Sequence, residues 1–172
     1  MRAILLIPAL ALVCTAVAEV TNDGDNLLSL VEQRCDKLVR VTDQPRSMQP
    51  QVAAACAPGV IRQGPHDLAK CYHIYISKQG LDVLKNGKGI YPVGTVVLKE
   101  KFSDPSATNT ELFTAMVKRD KGFNPASGDW EYFVLSGDAK KIEQRGKIES
   151  CMNCHDAYES TDFVTRDYMK NP

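Results

Sequence analysis

Apolar and polar positions divide the chain into two textures. In LLSLVEQRCDKLV (27–39) apolar residues stand at Leu27, Leu30, Val31, Leu38 and Val39, close to a 3.6-residue period. This predicts an amphipathic helix, with Asp25 or Asn26 placed to cap it. Thr42 to Pro50 reads as a loop broken by Pro45 and Pro50, and QVAAACA as a short Ala-rich helix that ends at Pro58-Gly59. Residues 22–70 therefore read as a helical part.

From residue 71 the pattern shortens to strands. CYHIYIS (71–77) is aromatic and β-branched, and LDVLKNG is a short helix stopped by Gly87. In GTVVLKEKF (94–102) alternation puts Val97, Lys99 and Lys101 on one face. ELFTAMVKR (111–119) divides into Leu112, Thr114 and Met116 against Phe113, Ala115 and Val117. DWEYFVLS (129–136) is the strongest strand, and residues 139–148 can add one more. The connections are too short for parallel crossovers. The expected fold is α+β, a mainly antiparallel β-sheet (71–148) with flanking helices and a final helical segment over 150–168.

The first residues read differently. Arg2 precedes an apolar run over 3–13, and Ala16-Val17-Ala18 is an AxA cleavage box. Residues 1–18 are read as a signal peptide cleaved after Ala18, which leaves 19–172 as one exported, periplasmic domain. No later stretch is long and apolar enough for a membrane span.

Composition narrows the function. The 172 residues carry 21 Lys+Arg and 21 Asp+Glu, are 44% hydrophobic and 24% charged, and hold 11 scattered Gly. That balance gives no electrostatic footprint for nucleic acid, and no phosphate-cradling glycine loop occurs. Cys35, Cys56 and Cys71 leave room for one disulfide, with the pairing open.

Chemistry is concentrated in Cys151-Met152-Asn153-Cys154-His155, a CxxCH pattern. Thiols at i and i+3 of a helical turn face the same way, and each can form a thioether to one vinyl group of a c-type haem. His155 then serves as the iron ligand. Ser150 is placed to cap this turn. A zinc half-site lacks a second Cys pair. Only 17 residues follow His155, and Met169 lies too close in sequence to reach the opposite haem face. Met48, Met116, His66 and His73 are the candidate sixth ligands, each also readable as packing or surface. A five-coordinate iron is favoured, which points to ligand binding or catalysis.

YPVGTVVLKEKF (91–102), MVKRDKGFNPASGDWEYF (116–133), KIESCMNCH (147–155) and TDFVTRDY (161–168), in this order, resemble the cytochrome P-460 family over roughly residues 65–168. The resemblance implies an antiparallel sheet with flanking helices, one covalent haem c per chain and a homodimer. It also implies one of two activities. Hydroxylamine-oxidising members carry a lysine cross-linked to the haem and work toward nitrous oxide, passing electrons to a soluble partner such as a small cytochrome c. The cytochromes c-prime-beta lack that bond and bind nitric oxide or carbon monoxide. A simple electron-transfer cytochrome is the third possibility. The resemblance further makes Lys101, then Lys99, the candidates for the cross-link, and Phe102 and Phe123 candidates for an apolar wall over the iron. Ala126 stands where a carboxylate is expected, with Asp129 or Glu131 as substitutes. Arg166 is a candidate partner for a haem propionate or for a surface ion pair.

Overall fold

A computed structural model of the chain describes residues 24–48 and 71–169. The signal-peptide reading, Cys56, His66 and the Ala-rich helix lie outside the described residues.

Two short helices, α1 (Gly24–Glu32) and α2 (Arg34–Lys37), stand where one helix over 27–39 was expected. The break is at Gln33, whose backbone leaves the helical region. Within residues 24–48 the chain also forms strand. Val39–Arg40 (β1) and Arg46–Ser47 (β2) are two-residue strands, and both pair antiparallel with β3 (Cys71–Ile76). The loop reading of 42–50 missed β2, because two residues carry no detectable period.

The remaining elements agree with the pattern. β4 (Val96–Phe102), β5 (Leu112–Lys118), β6 (Trp130–Ser136) and β7 (Ile142–Gly146) follow β3 as an antiparallel meander. The spatial order is β1-β3-β4-β5-β6-β7, with β2 beside β1 on the same edge of β3. The fold is α+β, as expected. Helix α3 (Leu81–Asn86) lies between β3 and β4, and α4 (Glu149–His155) follows β7. Ser150 falls inside α4, whose cap position is Ile148, so it is not the cap.

Both faces of the sheet are covered, and strand alternation decides which residue faces which layer. One face carries Val96, Leu98, Phe113, Val117, Phe133 and Leu135, packed beneath Leu27, Val31 and Leu38 of the N-terminal segment. Burying each such side chain contributes about 1.5–3 kcal/mol. The other face carries Ile74, Ile76, Val97, Met116, Trp130 and Tyr132. It packs against Leu84 of α3 and against Val164 and Tyr168 near the C-terminus. The predicted split of β5 is therefore real: Phe113, Ala115 and Val117 join the first layer and Met116 the second.

Cys35 is exposed and Cys71 buried, and neither is in a disulfide. A Cys35–Cys71 bridge is thus not made, and pairings with Cys56 fall outside the described residues.

Candidate functional site

The α4 turn presents three side chains to the second face of the sheet. Cys151, Cys154 and His155 line one cleft together with Tyr72 and Ile74 of β3, Val97 and Lys99 of β4, Thr114 and Met116 of β5, and Tyr132 of β6. The cleft holds about 930 Å³ of empty space, part of it continuous with solvent.

The donor set suits a c-type haem. Neither Cys151 nor Cys154 is oxidised to a disulfide, so both thiols can be alkylated. Burial pushes the Cys151 thiol up to about 11, which keeps it protonated at neutral pH. The His155 Nδ1–H donates to the Phe163 carbonyl at 2.6 Å. A carbonyl only accepts, so the proton sits on Nδ1 and the Nε2 lone pair is left for a metal. Desolvation also pushes the imidazole below its ordinary value, despite the opposing effect of the Phe163 carbonyl, and so favours the neutral, ligating form. The Tyr132 ring lies 5.5 Å from the imidazole, centroid to centroid. Tyr132 in turn shares a 2.6 Å hydrogen bond with Ser127. Among the described residues no group of three or more His, Cys, Asp and Glu is placed to hold a metal by itself.

Other predicted residues separate by strand face. Lys99 lines the cleft, with its Nζ 3.3 Å from the Met48 sulfur and 4.1 Å from the Tyr72 ring centre. Lys101 is on the same face and fully buried, opposite Tyr72 and Leu112, but it is not among the residues lining the cleft. Of the two candidate lysines, Lys99 is the one whose side chain lines the cleft. Met48 and Met116 both line the cleft.

Several expectations are corrected. Phe102 points to the opposite face, where its ring meets His73 edge-on at 5.7 Å. His73 is on that face too, hydrogen-bonded to Thr42, so it is not a ligand to anything in the cleft. Glu131 also projects from the opposite face. It is held there by Arg119 and Arg145, beside a shallow surface pocket that includes Phe123. One-residue alternation along β4 and β6 explains Phe102 and Glu131. Asp129 accepts backbone N–H groups from Gly122 and Asn124 and serves its turn. Ala126 is exposed. Arg166 has backbone partners that the sequence did not suggest. Its guanidinium donates to the carbonyls of Leu84 and Lys85, both at 2.7 Å, and so caps α3.

Asp167 was not expected. It lines the cleft and accepts hydrogen bonds from Tyr158 at 3.0 Å and Thr165 at 3.2 Å. It is the carboxylate among the described lining residues. The signal was present, since Asp167 falls within TDFVTRDY, but no spacing rule ties that segment to β4.

A family model described as Cytochrome P460 matches residues 59–166. The chain belongs to the cytochrome P460 family. No individual curated protein is similar enough to match. Cytochromes P460 bind c-type haem covalently. In this member Cys151 and Cys154 would carry the thioethers and His155 the iron. The matched stretch covers β3 to Arg166 and thus most of the cleft, including Lys99, but not Met48, Asp167 or Tyr168.

Proposed function

We propose that the protein is an exported, periplasmic mono-haem cytochrome with five-coordinate iron that oxidises hydroxylamine toward nitrous oxide. Electrons would pass to a soluble partner such as a small cytochrome c, and the working unit would be a homodimer. The observation that carries this reading is the Lys99 amine, held in the same cleft as Cys151, Cys154 and His155. The bound haem supplies redox chemistry and a coordination site for a small nitrogen ligand. The rest falls to the chain. His155 enters as the neutral Nδ1–H tautomer, with Nε2 free to ligate. Lys99 is the lysine that bonds to the haem edge. Asp167, steadied by Tyr158 and Thr165, takes the protons that hydroxylamine loses.

A second reading is favoured by Ala126, the residue at the position where a carboxylate was expected, and by Asp129 and Glu131, which are engaged elsewhere. In it the protein binds nitric oxide or carbon monoxide in the manner of a cytochrome c-prime-beta. The optical spectrum of the ferrous protein, with and without nitric oxide, separates the two. A Soret band far to the red of ordinary c-haem supports the lysine bond and the oxidase. An ordinary high-spin spectrum that responds to nitric oxide supports gas binding. A low-spin spectrum indifferent to nitric oxide overturns both.

A further inference from the structure

The carbonyl that orients His155 belongs to an irregular segment. Asp162 and Phe163 both have positive φ, +52° and +64°, although neither is glycine. An aromatic residue in the left-handed region persists only where its surroundings fix it. Here they do so from three elements. The Asp162 carboxylate takes both of its oxygens to the Lys118 Nζ of β5, at 2.6 and 2.7 Å. It also accepts the Tyr91 backbone N–H at 2.8 Å. The Asp162 carbonyl accepts the Trp130 indole N–H of β6, again at 2.8 Å.

The pair is well enclosed: the Lys118 and Asp162 side chains are only 6% and 9% exposed. The Lys118 amine makes a further bond to the Gly128 carbonyl at 2.6 Å. Gly128 is obligatory at this spot. A Cβ there would lie 2.5 Å from the Phe163 ring and 2.9 Å from Asp162 Oδ1. The KGFNPASGDW stretch therefore has a use other than a distal wall: it forms the socket into which residues 162–163 lock.

We infer that Lys118, Asp162 and Trp130 form a positioning network for the haem ligand. By fixing the backbone at 162–163 they set the short Nδ1–H···O=C bond to His155, and through it the electron donation of the imidazole to iron. A strong bond at Nδ1 makes the imidazole a better donor and favours the ferric state. The network is thus a control on the potential at which the haem takes up and gives off electrons. This inference rests on His155 being the iron ligand, and it holds for the oxidase and the gas-binding reading alike.

The test uses the holoprotein and begins with covalent haem on the wild type, read as a mass increment. Absence of that increment overturns the haem assignment itself. Trp130→Phe is the decisive variant, because it removes the donor to the Asp162 carbonyl while keeping an aromatic ring and changing no charge. Asp162→Asn is the second. Glu100→Gln, which breaks a part-buried ion pair with Arg34 on the opposite face, is the control. The expected result is a ferric–ferrous midpoint potential that rises in Trp130→Phe and Asp162→Asn but not in Glu100→Gln. A lower iron–histidine stretching frequency in the ferrous state should accompany it. Folded, haem-loaded Trp130→Phe with wild-type potential and stretching frequency overturns the proposal. So does an equal rise in Glu100→Gln. If Asp162→Asn does not fold, Trp130→Phe decides alone.

Discussion

The Lys99 amine and the Met48 thioether meet at 3.3 Å inside the cleft, although 51 positions separate them in the chain. The short strand β2 ends one residue before Met48 and runs beside β3, which brings the two together. Met48, a candidate sixth ligand in the sequence, is in the structure a partner of the lysine. Lys99→Met should therefore abolish the red-shifted Soret band, while Lys101→Met retains it. Met48→Leu should lower the fraction of chains carrying the lysine–haem bond, measured by intact mass. A red-shifted band that survives in Lys99→Met and is lost in Lys101→Met reverses the assignment.

Asp167 is the second residue through which the oxidase reading can fail. Asp167→Asn preserves shape and removes the base. General-base contributions run to about 10²–10⁴-fold, so hydroxylamine-dependent dye reduction should fall by roughly that factor. Nitric oxide binding, followed optically, should be unchanged. Equal loss of both would mark Asp167 as structural.

Glu100 gives a pH-dependent prediction. It is 2% exposed and accepts hydrogen bonds from Arg34, Thr110 and Tyr75. Burial alone would raise its pKa, but these donors outweigh burial and hold the carboxyl below its ordinary value. A depressed native pKa contributes stability above the unfolded value, which is lost as pH falls through the native one. Glu100→Gln should cost about 1.5–3 kcal/mol at neutral pH. The gap to wild type should close on acidification below the usual carboxylate range. Urea titrations at several pH values measure it, and a gap that widens in acid contradicts the argument.

Gly87 and Arg166 form a stability pair. Gly87 ends α3 at φ +67°, and a Cβ there would sit 1.9 Å from an Arg166 guanidinium nitrogen. Gly87→Ala combines left-handed strain, about 1–3 kcal/mol, with displacement of the cap. Thermal unfolding should show a clear drop in Tm. Arg166→Met should lower Tm less and leave the haem spectrum intact, whereas a propionate partner would change the spectrum.

The sheet was legible because strands β3 to β6 are long and strongly patterned, and alternation placed Lys99 and Met116 on the cleft face. The CxxCH turn was legible because three residues in sequence do the work. Glu131 and Phe102 were misplaced for a reason of parity: each is one residue from the correct face. Asp167 and the Asp162 anchor could not be placed from sequence because their positions depend on how an irregular segment docks, with positive φ at Asp162 and Phe163. The capping role of Arg166 could not be read from sequence because its carbonyl partners lie 81 and 82 residues away.

The two ends of the sheet have a consequence for association. One edge is divided between β1 and β2, each two residues long, and Thr42, between them, turns its hydroxyl inward to Ile74 N and His73. The other edge, β7, exposes Glu143, Gln144 and Arg145. Neither offers a long apolar template for a further strand. Among the described residues, the sheet edges therefore give open-ended ribbon growth no long apolar strand to add to.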